Sequence, residues 1–185
     1  MTKTALVIID LQNDYYPDGK WTLDGIEAAS ANASKMVEKF RQSDDLIVHV
    51  HHNFVEDDAP FFVAGSPGAE IHRDVAPKDG EPQVLKHQVN AFHETDLQDV
   101  LGNNGVENLV ICGAMSHMCV DAATRAASDL GYTCTVIHDA CASRDLEFEG
   151  ETIPARQAHA AYMSALGFAY ATLKSTDEYL SGDGD

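Results

Sequence analysis

The sequence predicts an α/β fold in which a parallel β-sheet is flanked by helices. Short apolar segments without polar alternation are typical of strands that are buried on both faces of a parallel sheet. Helix-length segments lie between them, and such alternation favours right-handed β-α-β crossovers. The chain has 185 residues, which is within the usual range for one domain. We therefore expect a single domain that spans residues 1–185.

Five segments of the chain are predicted strands. Each is rich in Val, Ile or Leu, and one is short. They are residues 5–10, 46–51, 83–86, 109–113 and 133–138.

Four segments between or after these strands are predicted helices, namely residues 26–41, 96–103, 119–130 and 155–166. In the third helix, Val120, Ala123, Ala127 and Leu130 share one face. Gly131 follows where a C-terminal cap is expected.

Two further segments lie outside this alternation. Residues 53–82 carry four prolines and three glycines and are too long for an ordinary connector, so we expect a functional lid or an oligomer contact. The tail, residues 175–185, is polar and acidic, and we expect its end to fray.

Composition excludes several classes of partner. A formal net charge of −18 repels nucleic acid phosphates and anionic membranes. No apolar run approaches the roughly 20 residues that cross a bilayer, and the N-terminus lacks a signal-peptide pattern, so a cytoplasmic protein is expected. The four cysteines lack the spacing of a zinc ribbon or a disulfide scaffold and are expected to be free thiols.

Three reactive side chains stand where predicted strands end. Asp10 closes the first strand, Lys86 closes the strand at 83–86, and Cys119 follows the strand at 109–113 at a predicted helix start. In open parallel sheets the ligand crevice lies at the carboxyl ends of the strands. The helix start and a nearby ammonium would lower the pKa of the thiol, Asp10 would act as general base, and Lys86 would stabilise both anions.

Each of these residues also has a structural interpretation. A cysteine taken alone is more often a core residue than a nucleophile, and Cys112, Cys134 and Cys141 are expected to be inert core thiols. An aspartate that closes a strand is often a turn residue, and a lone lysine is usually on the surface. Residue spacing does not establish that the three side chains meet.

Several ordered motifs resemble those of the isochorismatase-like cysteine hydrolase superfamily, which includes nicotinamidases and N-carbamoylsarcosine amidohydrolase. They are the sequences at residues 5–15, 86–92, 113–120 and 138–142, and the resemblance covers residues 4–173. It implies a three-layer fold with a six-stranded parallel sheet and a catalytic triad of Asp10, Lys86 and Cys119. It also implies a cis peptide bond at Ala114-Met115, which would aim the N–H of Met115, with that of Cys119, at an oxyanion.

Residues that flank the triad on the same loops are expected to line the substrate pocket. They are Gln12, Tyr15, Phe92, Met115 and His117. Phe92 has a core residue as its alternative interpretation. Arg125 and Arg144 are candidates for binding an anionic substrate, although a helical arginine between acids is more often in a surface ion pair.

The resemblance raises the question of a metal site. Nicotinamidases of the family hold a metal through an Asp-x-His motif and a further histidine, whereas this chain reads His49-Val50-His51-His52-Asn53 with no aspartate at the matching place. A cluster of His49, His51, His52 and His72 remains open, but adjacent His51 and His52 point to opposite faces of a strand. We expect no metal and no other cofactor.

The function that these observations favour is hydrolysis of a C–N bond in a small amide or carbamoyl substrate through a thioester at Cys119. The alternatives are vinyl ether hydrolysis of the isochorismatase type, which does not need a thiol, and a nicotinamidase with an atypical metal site. A nucleotide-binding module is disfavoured because Leu11-Gln12-Asn13-Asp14 replaces the glycine-rich turn. An idle oligomeric scaffold would not need all three reactive groups. The resemblance also suggests a homo-oligomer.

Overall fold

A computed structural model describes residues 3–56 and 58–182 of the chain. Six parallel strands form one sheet in the order β3-β2-β1-β4-β5-β8. The strands are β1 (Lys3–Ile9), β2 (Leu46–His52), β3 (Gln83–Lys86), β4 (Val106–Ala114), β5 (Thr133–Ala142) and β8 (Thr172–Lys174). The predicted α/β fold with a six-stranded parallel sheet is confirmed.

The strand order reverses at the centre of the sheet. β1 pairs with β2 on one side, with Val7 opposite Val48, and with β4 on the other, with Val7 opposite Ile111. The connections that leave β1 and β4 therefore run in opposite directions, and a crevice opens between their carboxyl ends. This is the edge of the sheet at which the candidate site lies.

Five helices flank the sheet: α1 (Ile26–Ser43), α2 (Leu97–Asn103), α3 (Asp121–Asp129), α4 (Ala155–Ala169) and α5 (Thr176–Ser181). Residues of α1 join the core on one face of the sheet. Residues of α2, α3 and α4 join the core on the other face. The sheet thus forms the middle of three layers, which is why β1 and β4 are apolar on both faces.

Four features differ from the sequence-based predictions. β8 has only three residues, which is too few to show a periodic pattern. The same holds for each strand of a hairpin formed by β6 (Leu146–Phe148) and β7 (Glu151–Ile153). The acidic tail forms α5, and a capping box between Ser175 and Glu178 stabilises its first turn. The expected fraying concerns residues 183–185, which lie outside the described residues.

The fourth difference is at the predicted helix 119–130. A single π-helical turn, Ser116–Val120, precedes α3, and Cys119 lies inside that turn rather than at the start of an α-helix. Such turns are rare and often occur at functional sites.

No helix among the described residues is both long and apolar enough to cross a membrane.

Candidate active site

Asp10 leaves the sheet immediately after β1 in a left-handed backbone conformation, with φ of 50°. Its N–H donates to the carbonyl of Val50, so the turn remains tied to β2. The neighbouring strand must come close here: a Cβ on Gly113 would lie 2.0 Å from the carbonyl oxygen of Ile9, and the φ of Gly113 is +126°. Glycine at position 113 therefore allows β4 to pass close to the backbone of Ile9, next to Asp10.

Lys86 ends β3 with its side chain fully buried. Its Nζ lies 2.8 Å from Asp10 Oδ2 and 3.4 Å from Cys119 Sγ. It also lies 3.0 Å from Nδ1 of His52 and donates to the carbonyl of Gln88 at 3.2 Å. The structure thus brings the three predicted side chains together, with the ammonium in contact with both the carboxylate and the thiol.

The Asp10 carboxylate is buried and forms a close ion pair with Lys86. It also lies beside the thiol of Cys119. A buried carboxylate in this condition keeps lone pairs free to accept a proton. That is the property required of a general base.

The thiol of Cys119 differs from the expectation of a lowered pKa. Burial raises its pKa, the charge of Asp10 raises it further, and the opposing effect of Lys86 is smaller, so that the net pKa is about 12. The expectation of a thiolate was wrong because Cys119 is 7% exposed and faces a carboxylate. The resting site is a thiol beside a carboxylate.

Lys86 retains its charge in this buried position. Burial lowers its pKa, but the charge of Asp10 and the neighbouring Cys119 sulfur together raise it by more, and the net shift is upward. On its other side His52 is neutral, because burial and the charge of Lys86 lower its pKa to about 4. The ammonium therefore donates to His52 Nδ1, which places the ring proton of His52 on Nε2.

Aromatic side chains cover the triad. Tyr15 is buried, and burial raises its pKa. The nearby Asp10 carboxylate and Cys119 sulfur raise it further. Its ring contacts Phe61 and Phe62 of the long segment 53–82, with centroids 5.7 and 4.6 Å away. Phe61 and Phe62 thus place this part of segment 53–82 against Tyr15. The expected role of the segment as a lid or an oligomer contact stays a prediction.

Arg144 extends from the loop after β5 towards the same side of the site. Its guanidinium lies 4.1 Å from the centre of the Trp21 ring. At His117, burial lowers the pKa, and the positive charge of Arg144 lowers it further. At Tyr15, burial raises the pKa, and the charge of Arg144 opposes that shift. Among the described residues, no carboxylate lies within ion-pair distance of this guanidinium.

Two of the predicted pocket residues have structural roles instead. The amide of Gln12 is fully buried: its nitrogen donates to the carbonyls of His52 and Ala69, and its oxygen accepts the N–H of His52. These hydrogen bonds connect the end of β2 to segment 53–82, and they leave no amide N–H of Gln12 free to bind a substrate.

Phe92 is partly buried and packs against the core on the side of α2, α3 and α4, where its ring stacks on that of Tyr132. Tyr132 directly precedes β5 and so belongs to the opposite edge of the sheet. The alternative interpretation of Phe92 as a core residue is the correct one.

His117 and Met115 lie on the segment that carries the thiol. His117 is buried, and its Nδ1 is 2.8 Å from the hydroxyl of Ser143, which links the π-helical turn to the end of β5. The peptide bond between Ala114 and Met115 is cis. Arg125 pairs with Asp121 on α3 and stacks on Tyr170, as expected of a surface ion pair.

The candidate histidines do not fit a metal site. Nε2 of His49 is 2.9 Å from Glu81, Nδ1 of His52 accepts from Lys86, and the ring of His72 stacks on Tyr16. Within residues 3–56 and 58–182, no group of three or more His, Cys, Asp or Glu side chains is arranged to hold a metal ion.

Sequence reasoning did not identify two contacts of the site. His52 was a candidate metal ligand, and its contact with Lys86 was not predicted, although the alternation of side chains along β2 places it on the face of Val50, next to Lys86. Ser116 contacts His159 of α4, 43 residues along the chain, and no local pattern signals that pairing.

Comparison with known proteins agrees with the fold. The isochorismatase domain family matches residues 4–166. The isochorismatase family protein YddQ of Bacillus subtilis is 45% identical over 177 residues, which cover 96% of this chain and 98% of that protein.

Two solved structures extend the comparison. A candidate isochorismatase hydrolase from Oleispira antarctica is similar with a TM-score of 0.95 and 55% identity, over 98% of this chain and 97% of its own. N-carbamoylsarcosine amidase from Thermoplasma acidophilum is similar with a TM-score of 0.82 and 26% identity, over 96% and 98% of the two chains.

Proposed function

The chain belongs to the isochorismatase family, and from that premise we propose that it is a cysteine hydrolase that cleaves the C–N bond of a small amide or carbamoyl compound. The observation that carries the proposal is the buried contact of Lys86 with both Asp10 and Cys119 at the carboxyl edge of the sheet. The similarity to an N-carbamoylsarcosine amidase supports the choice of bond.

In the first half of the reaction, Cys119 Sγ attacks the substrate carbonyl carbon while its proton passes to the Asp10 carboxylate. A thiol with a pKa of about 12 needs this base, because only a minute fraction of it is ionised at neutral pH. Lys86 stabilises the anionic sulfur as it forms, and the N–H groups of Met115 and Cys119 receive the oxyanion. Collapse of the tetrahedral intermediate breaks the C–N bond, and Asp10 returns the proton to the leaving nitrogen.

In the second half, water attacks the thioester. Asp10 takes a proton from the water as its oxygen bonds to the acyl carbon, and the C–S bond then breaks. The sulfur leaves with that proton, which regenerates the thiol and releases the acid. The packed rings of Tyr15, Phe61 and Phe62 exclude bulk water, and this strengthens each of these charge interactions.

The substrate class is narrowed by Arg144. The Arg144 guanidinium lies over the Trp21 ring and has no acidic partner among the described side chains, so it is suited to bind a carboxylate. We therefore assign to the substrate an anionic group in addition to the bond that is cleaved.

The test is a panel of neutral and carboxylated amides and carbamoyl compounds, with ammonia or amine release measured for the wild type and for Cys119→Ser. Cys134→Ser is the matched control, because Cys134 is equally buried but lies at the far end of β5. We expect release that Cys119→Ser abolishes and Cys134→Ser leaves intact. Release that survives in Cys119→Ser, or cleavage of a vinyl ether that does not depend on the thiol, would contradict the proposal.

A further inference from the structure

A pair of polar side chains behind the π-helical turn is not part of the chemistry described above. Ser116 is the first residue of the turn and is fully buried. Its hydroxyl lies 3.0 Å from the carbonyl oxygen of Ala142, at the end of β5, and 2.8 Å from Nδ1 of His159, on α4. One hydroxyl therefore joins the turn to two elements that lie far along the chain.

The number of protons decides the direction of these hydrogen bonds. A carbonyl oxygen only accepts, so the single hydroxyl proton of Ser116 goes to Ala142. The bond to His159 then requires a proton on Nδ1, which donates to the serine oxygen. Burial, followed by the charge of His138, lowers the pKa of His159, so the ring is neutral and carries its one proton on Nδ1.

Ser116 lies between the residues that we propose take part in the reaction. Ser116 directly follows Met115 and precedes Cys119 by three residues. In β4 and β5, Ala114 pairs with Ala142, so the same hydroxyl ties the turn to the strand that supports it. A change in the orientation of Ser116 would move both proposed oxyanion donors and the nucleophile together.

Packing alone does not account for a histidine at 159. The ring is only partly buried and borders a cavity of about 210 Å³, which Ser143 and Arg156 also line. An apolar residue in α4 would fill such a partly buried position at lower cost than a polar ring without a hydrogen-bond partner. The hydrogen bond is thus the function that the side chain serves.

We infer that His159 is a positioning residue, whose Nδ1–H donates to Ser116 and holds the Ser116–Val120 turn in the orientation that the reaction needs. The inference rests on the proposed function for its catalytic consequence. His159 itself touches none of the reacting groups in the triad.

The experiment compares His159→Leu with His159→Asn, because the Asn amide nitrogen takes the place of Nδ1 and keeps a donor. Hydrogen exchange of peptides that cover residues 114–121 reads the turn without a substrate. We expect faster exchange in this segment in His159→Leu and wild-type exchange in His159→Asn. Unchanged exchange in His159→Leu would overturn the inference.

Kinetics then test the catalytic consequence. Since a misplacement of about 1 Å costs up to about 100-fold in rate, we expect His159→Leu to lower kcat by about 10- to 100-fold with KM changed less than about threefold. His159→Asn should recover most of kcat. Loss in KM alone, or equal loss in both variants, would overturn the inference.

Failure of the proposed function has a different signature. In that case the wild type and Cys119→Ser release the same amount of product, whatever residue stands at 159. Loss of kcat in Cys119→Ser together with wild-type kcat in His159→Leu would overturn the positioning role alone.

Discussion

The ammonium of Lys86 lies 2.8 Å from Oδ2 of Asp10, and both side chains are withdrawn from solvent. Removal of one partner leaves a buried charge uncompensated, which costs about 3–5 kcal/mol. We expect Lys86→Met to lower the free energy of unfolding in urea by about that amount and to abolish hydrolysis.

A double variant separates the two effects. Asp10→Asn with Lys86→Met removes both charges and should recover most of the lost stability but none of the activity. Lys39→Met, at an exposed position of α1, is the control and should change neither. Recovery of hydrolysis in the double variant would refute the assigned roles.

The raised pKa of Cys119 makes its reaction with iodoacetamide strongly dependent on pH. Because the pKa is about 12, the thiolate fraction, and with it the alkylation rate, should rise about tenfold for each pH unit between 7 and 10. Mass spectrometry of the peptide that contains Cys119 gives the rate, with Cys119→Ser as the blank. A plateau near neutral pH would show that the thiolate is the resting state.

Asp10→Asn should have opposite effects on alkylation and on hydrolysis. The Asp10 charge raises the thiol pKa, whereas Lys86 lowers it, so loss of the carboxylate shifts the balance towards the thiolate. We expect alkylation at pH 7.5 to become at least about tenfold faster while hydrolysis is lost. Slower alkylation in this variant would mean that the aspartate activates the thiol before substrate binds.

Glu81 lies near the end of segment 53–82 and links it to α1 and β2. It accepts from Arg41 in two places, from the main-chain N–H of Lys78, and lies 2.9 Å from His49. The hydrogen bonds of Arg41, in opposition to burial, lower its pKa from 4.5 to about 2. Its ionised form therefore stabilises the fold above about pH 4.5, and this contribution is lost as the pH falls towards 2.

The corresponding variant is Glu81→Gln. We expect it to lower the free energy of unfolding at pH 7 by about 2 kcal/mol, and we expect the difference from the wild type to narrow below about pH 4.5. Urea unfolding at pH 7, 5 and 3.5 measures it, with exposed Glu70→Gln as the control. A difference that stays constant with pH would exclude an ionic origin.

Gly113 is expected to tolerate no side chain. Alanine there combines a φ of +126° with a Cβ that overlaps the carbonyl of Ile9, so Gly113→Ala should cost at least about 2 kcal/mol and abolish activity. Gly131→Ala is the matched control, since φ is +96° but no atom lies within 4 Å of the added Cβ. It should cost about 1 kcal/mol and leave turnover intact. Equal effects of the two changes would argue against a close approach at 113.

Arg144 is expected to discriminate between charged and neutral substrates. A hydrogen-bonded charge pair contributes about 1.5–3 kcal/mol, so Arg144→Met should lower kcat/KM for carboxylated amides by about 10- to 100-fold and leave neutral amides nearly unchanged. Arg125→Met, which removes a surface ion pair on α3, should affect neither class. A uniform loss on both classes would assign Arg144 to folding.

Much of the architecture follows from local pattern. Strands buried on both faces, such as β1 and β4, need continuous apolar residues, and helices between them need one apolar face, so their order along the chain already predicts the α/β class. The short elements β8 and α5 escape this reasoning because three to six residues are too few to show a period. The expected homo-oligomer stays a prediction.

The sequence by itself determined which residues are chemically able to act and that Asp10, Lys86 and Cys119 stand at strand ends. Tertiary structure decided how they act, since pKa depends on burial and on neighbours that lie far along the chain. Cys119, expected to be a thiolate, is a thiol beside a carboxylate because it is buried. The amide of Gln12 is hydrogen-bonded to the main chain. His52 contacts Lys86, and His159 contacts Ser116. Residue spacing carries no record of such contacts, because they form only when the sheet brings distant strand ends to one edge.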